Sequence, residues 1–258
     1  KSQSQIFQIL IYARKSNLQG IKIINTNAAK IETRGAFAHL KNIVIKSDVV
    51  PCDITACLMV KSDVRNDISD TSYILEQADV RISGGGNAFY SENNGTFLIK
   101  NSLLQSTDKN HEVVNLKGDG LNNGFDTDYI FHKATLRNPY GSAIESSNEV
   151  RNLVFDICNI YSGTRLNITP INQGNLGFFV LKNSVYITRI SNQNNPSYLS
   201  KLNWENNQLY LPSALTWHLP NGNIYLKGNH YHVLPDDSSF YGGSLLYGYH
   251  LSGQKLFI

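Results

Sequence analysis

Carboxylates crowd one stretch of this 258-residue chain: Glu92, Glu112, Asp119, Asp126, Asp128 and Glu145. Two carboxyl groups held at a fixed separation can share acid–base work, one giving a proton while the other accepts one or attacks. The pair expected to do so is Asp119 with Glu145, and Asp126 is the substitute for either. Tyr90, Glu92, His111, Asn122, Arg137 and Tyr140 are the groups expected to hold a ligand beside them, through ring stacking, amide bonds and charge. An elimination would draw on other residues, a base and a cation that steadies enolate-like charge, and His111, Lys117, His132, Arg137 and Tyr140 offer these. The run Asp119–Asp128, DGLNNGFDTD, gathers hard oxygens, but its spacing fits no standard calcium loop. His230 and His232 alternate on one strand and read as a solvated face. No metal or other cofactor is expected.

These side chains need a scaffold, and its pattern is a repeat. An apolar residue, two free positions, a small or amide residue, one free position and an apolar residue recur throughout. Leu98…Asn101…Leu103 and Val180…Asn183…Val185 are examples. The corner residues Ala78, Asn101, Ala134, Cys158, Asn183, Asn207 and Asn229 are 23, 33, 24, 25, 24 and 22 apart. A fixed period with one strand–corner–strand unit per repeat and no helical period predicts a β-solenoid with coils of 22–25 residues. Asn fits such corners because it bonds local backbone and tolerates left-handed conformations, and stacked Asn side chains can pass hydrogen bonds from coil to coil.

A second register is read from the pairs Ala56-Cys57, Ala88-Phe89, Gly120-Leu121 and Ala143-Ile144. It puts Tyr90, Asn122 and Glu145 in one outward column. Asp119 lies one coil below Glu145. Coils stack about 4.8 Å apart, so carboxylates one coil apart suit a retaining reaction and two coils apart an inverting one.

Residues 1–35 are expected to be irregular and β-rich, 36–235 to be solenoid, and 236–258, rich in Tyr and Gly, to cap it or pack against copies of the chain. The polar segments 60–72, 105–118 and 188–201 read as insertions, the second explaining the 33-residue step. The net charge of +3 is spread out, without the basic cluster of a nucleic-acid face. Three cysteines make no disulfide framework, and no apolar run reaches the length of a membrane span.

The repeat at Leu98–Leu103 and Val180–Val185, with GDGL at Gly118–Leu121, resembles that of the pectin-lyase-like parallel β-helix family. Low charge, many Asn, Ser and Tyr and an apolar tail are most similar to its bacteriophage tailspike and capsule depolymerase members. The resemblance implies a right-handed, single-stranded parallel β-helix, a homotrimer at the virion tail or outside the cell, and a bacterial surface polysaccharide (capsule or O-antigen) as partner and substrate. Two-carboxylate glycoside hydrolysis is the expected reaction. A noncatalytic glycan-binding module, a polysaccharide lyase and a purely structural solenoid are the alternatives. The set of Asn-Thr-Asp, Asp-Asp, Gly-His-Gly and Arg-Ile-Lys motifs that pectate-degrading hydrolases carry together is not present as a set.

Overall fold

The computed structural model describes residues 6–26, 28–47, 56–61, 70–117, 127–147, 150–164, 167–169, 178–188, 192–193, 201–211, 215–217, 223–234, 246–248 and 256–257. Among these residues the regular elements are all strands, and the chain visits three sheets in turn, here A, B and C. Sheet A has seven strands, B ten and C nine, and a fourth, three-stranded sheet joins Asn192–Gln193, Leu215–Trp217 and Leu246–Gly248. Every pairing is parallel and links a strand to its counterpart one coil away. This is the β-solenoid that the period predicts. Residues 6–26 already form a coil of this kind, with Ile9 beside Ile31, Leu18 beside Leu40 and Ile23 beside Ile45, a constant step of 22 residues.

Alternation along the strands fills the interior. In Val150–Asp156 the odd members Leu153 and Phe155 are buried, while Val154 and Asp156 face outward and are half-buried. The inward positions of sheet B stack aromatic rings from coil to coil. Phe97 lies on Tyr129 at 4.8 Å, Phe131 on Phe155 at 4.7 Å, and Phe179 meets Trp204 edge-on at 5.7 Å. Such contacts hold neighbouring coils in register beyond what area burial supplies.

The corner from B to C turns through a left-handed residue on each coil. Asn42, Gln77, Asn101, Lys133, Ile157, Asn183 and Asn206 have φ between 50° and 56°, and Gly20 and Gly228 have φ of 72° and 61°. The expected corner set therefore mixes two positions. Asn101 and Asn183 are the left-handed residues themselves. Ala78, Ala134, Cys158, Asn207 and Asn229 are the step after, which turns inward: Ala78, Ala134, Cys158 and Asn207 are buried. That inner position carries the side-chain ladder. Ser184 Oγ accepts from Cys158 N (2.9 Å), Asn207 Oδ1 from Ser184 N (3.0 Å), and Asn229 Oδ1 from both Asn207 N (3.1 Å) and Asn207 Nδ2 (2.9 Å). Cys158 is a buried thiol, pushed up to about 11 mainly by burial, as its corner position implies.

The second register needs correction. On sheet A, Phe89 pairs with Val114 and Val114 with Ile144, while Leu58, not Cys57, lies beside Phe89. Val113-Val114 thus takes the place expected of Gly120-Leu121. Val114–Lys117 alternates inward Val114 and Leu116 with outward residues, which a glycine-flanked Leu121 could not continue. Segment 105–118 is accordingly not an insertion, since it holds the end of strand Leu103–Ser106 and all of Val114–Lys117. The step from Phe89 to Val114 is an ordinary 25 residues, whereas Phe97 to Tyr129 takes 32, so the extra residues fall between Lys117 and Thr127.

Candidate active site on sheet A

Sheet A presents a continuous outward column. Glu32 lies beside Met59, Met59 beside Tyr90, Tyr90 beside Asn115 and Asn115 beside Glu145. The buried Leu58, Phe89, Val114 and Ile144 precede them in the chain, so the column faces away from the core. Asn115 holds the place expected of Asn122. Asn122 lies outside the described residues, as do Asp119 and Asp126, so the expected pairing of Asp119 with Glu145 lies outside them too.

The structure brings a different carboxyl to Glu145. Glu112 stands just before strand Val114–Lys117 and shares a side-chain hydrogen bond with Glu145. Burial, and then the negative charge of Glu145, push the Glu112 carboxyl up to about 7. Asn87 steadies it, donating from Nδ2 to the Glu112 carbonyl at 2.8 Å and reaching its Oε2 at 3.4 Å. Asn115 Nδ2 donates to Glu145 Oε2 at 3.1 Å. Asn115 is only 7% exposed, and its Oδ1 is buried with no hydrogen-bond partner. An unpaired buried acceptor costs free energy unless something supplies a donor.

Tyr90 and Glu92 complete the group. The Tyr90 hydroxyl donates to Glu92, and Lys61 Nζ sits 3.5 Å from the same carboxylate. Burial, then the bond to Glu92 and the charges of Glu92 and Glu145, push the Tyr90 phenol well above its ordinary value. The ring packs against Met59 and Ala56 rather than standing free. Sequence reasoning thus finds Tyr90, Glu92 and Glu145, counts Glu112 in the acidic cluster without pairing it, and misses Asn115 and Asn87. The readable signal for Asn115 is the alternation Val114, Asn115, Leu116, Lys117, which matches Phe89, Tyr90, Ser91, Glu92.

His111, Tyr140 and Arg137 are not on this face. His111 and Tyr140 belong to the corner between sheets C and A. Buried Asn138 organises this corner by donating to the carbonyls of Asp108 (2.8 Å) and His111 (2.9 Å) and accepting from Tyr140 N (3.0 Å) and Gly141 N (2.8 Å). His111 Nδ1 lies 2.5 Å from Asp108 Oδ2. Burial alone would raise Asp108, but hydrogen bonds from Asn110 N, His111 and Gly86 N outweigh it and hold the carboxyl below the usual range. Arg137 is on the outward face of sheet C. His132 belongs to sheet B, bonded to Asp156 at 3.0 Å. Asp128 is a strand residue held by Arg151 and Asn152. Tyr129 is wholly buried, its hydroxyl on Ser91 Oγ at 3.1 Å. Among the described residues no three His, Cys, Asp or Glu side chains group as metal ligands.

A scan of family models and searches of curated proteins and of solved structures found no match to this chain.

Proposed function

We propose that this β-solenoid binds and hydrolyses a bacterial surface polysaccharide on the outward face of sheet A. The observation that carries the reading is the Glu112–Glu145 pair: two carboxyls in contact, one kept protonated near neutral pH, beside an amide oxygen with no partner. Glu112 is the general acid that protonates the leaving oxygen. Glu145, oriented by Asn115, is the nucleophile: it bonds the anomeric carbon as the leaving oxygen departs with the Glu112 proton, and it is released as free carboxylate when water, losing a proton to Glu112, attacks that carbon. The two residues stand on adjacent coils and carry flexible side chains, so a glycosidic oxygen entering between them parts the carboxyls to the roughly 5–5.5 Å of a retaining pair. Glu92, aimed by Tyr90 and the more exposed of these groups, takes a sugar hydroxyl. An elimination is less well supplied here. The Tyr90 phenol holds its proton more tightly than usual, and the neighbouring cation Lys61 is engaged by Glu92.

The test is a reducing-end assay on a panel of capsular and O-antigen polysaccharides, with the anomeric configuration of the first product followed by NMR. New reducing ends with retained configuration, absent in Glu145→Gln, are expected. Inverted product, or an unsaturated uronate, would refute the assignment.

The same reading includes right-handed winding, the near-universal hand of parallel crossovers, and a homotrimer at the virion tail. Ile74, Leu98, Ile130, Val154 and Val180 form a half-buried apolar strip along the outward face of sheet B, which three copies would share. Sedimentation should give a trimer, and a stable monomer at micromolar concentration would exclude it.

A further inference from the structure

The outward face of sheet C carries another column, of different chemistry. Lys46 leads to Arg81 and, past Gln105, to Arg137. Tyr161 follows Arg137 and, past Ile187, the column ends on Tyr210 and His232. The residues just before them in the chain, Val80, Leu136, Ile160 and Leu209 among them, are buried, so the column points to solvent. It holds no carboxylate. Among the described residues the one acid beside it on this face is Asp79, which bonds Arg81 at 2.7 Å. One half of the column is cationic and the other aromatic. They meet where the Arg137 guanidinium lies 5.9 Å from the centre of the Tyr161 ring, and Tyr210 and His232 stack at 4.3 Å. The rungs are about 4.8 Å apart, so the seven steps from Lys46 to His232 span about 34 Å along the solenoid axis.

We propose that this column is a binding track for an acidic polysaccharide, separate from the carboxyl pair on sheet A. Arginine forks match sugar carboxylates two bonds at a time, and tyrosine faces cover the apolar faces of pyranose rings. A polymer with both kinds of group needs both halves of such a column, and a ladder of parallel strands holds them at fixed spacing with little ordering cost. The proposal rests on the polysaccharide reading above for the kind of polymer, and it adds the sign of that polymer's charge.

The experiment is affinity electrophoresis of the whole chain through gels containing polygalacturonate, neutral dextran or polyglutamate. Polygalacturonate is expected to retard the protein, dextran and polyglutamate much less. Arg137→Gln and Tyr210→Ala should each weaken the retardation by about tenfold, the loss of one charge-assisted or stacking contact, with unchanged melting curves. No retardation by polygalacturonate would overturn the track. So would equal retardation by polyglutamate, or retardation unchanged in both variants. Glu145→Gln should leave the retardation intact. Retardation without cleavage of any polymer would therefore count against the sheet A reading alone, and cleavage without retardation against the track alone.

Discussion

The outward faces of sheets A and B are built on the same ladder geometry and treat charge in opposite ways. On sheet B one column runs Lys41, Glu76, Lys100, His132, Asp156, Lys182, Glu205, Lys227, and no acid stands beside an acid. Its ion pairs, such as Lys100–Glu76 at 3.3 Å, His132–Asp156 at 3.0 Å and Lys182–Glu205 at 3.5 Å, are the arrangement that cross-strand pairing favours. On sheet A two glutamates touch and a third lies close by. Even there, Glu32 at one end of the column is neutralised by Lys30 and Arg34. The chain therefore has the means to pair its acids and does not use them around Glu145. Acids kept together against stability are what the proposed catalytic reading of sheet A rests on.

The largest effect expected is on rate. Removing the proposed nucleophile or the proposed acid should abolish most cleavage, so Glu145→Gln and Glu112→Gln should each lower turnover by about 10²–10⁴-fold, read as reducing ends released. Asp156→Asn, the corresponding change on sheet B, should leave turnover within about twofold, since its position is a salt-bridge rung with no part in proton transfer. Equal losses from both faces would erase the distinction between them.

Next comes pH. Glu112 keeps its proton up to about 7, whereas an unfolded glutamate loses it near 4.5. Between those values the native state binds the extra proton, so stability falls as pH rises through the window and stays lowered above it. Glu112→Gln should remove that fall and at pH 8 be more stable than wild type by about 3 kcal/mol, measured by urea unfolding, although it no longer cleaves. Glu145→Lys is the sharper variant, because it makes sheet A resemble sheet B. A cation in contact with Glu112 should draw its carboxyl back to the usual range or below, and the same pH dependence should vanish.

How much of this could be read beforehand depends on which physical signal each residue carries. The solenoid is legible because corners and apolar pairs recur at coil length, and Tyr90 and Glu145 follow from the alternation of side chains along a strand. The corner itself was ambiguous by one residue. Asn suits both the left-handed position, as in Asn101, and the inward ladder position, as in Asn207, and its chemistry does not separate the two. The slip from Val114 to Leu121 has another cause, since GDGL looks like the start of a coil while Val114 opens the strand. Glu112 was harder still. It precedes its strand, where alternation no longer says which way a side chain points, and it meets Glu145 only because two long side chains lean toward each other across a rung.

The smallest effect should be found where charge is already balanced. Glu205 bridges Lys182 at 3.5 Å and Lys227 at 3.7 Å, its carboxylate accessible to water. Glu205→Gln removes both pairs but leaves two solvated lysines that need no other partner. The loss should be less than about 1 kcal/mol and should disappear in high salt, where exposed pairs are screened. Urea unfolding at low and high salt checks this. A large, salt-independent loss would mean that the sheet B ladder is a structural necessity. The unpaired acids of sheet A would then have to be explained by their own contribution to folding, and the contrast between the faces would no longer point to catalysis.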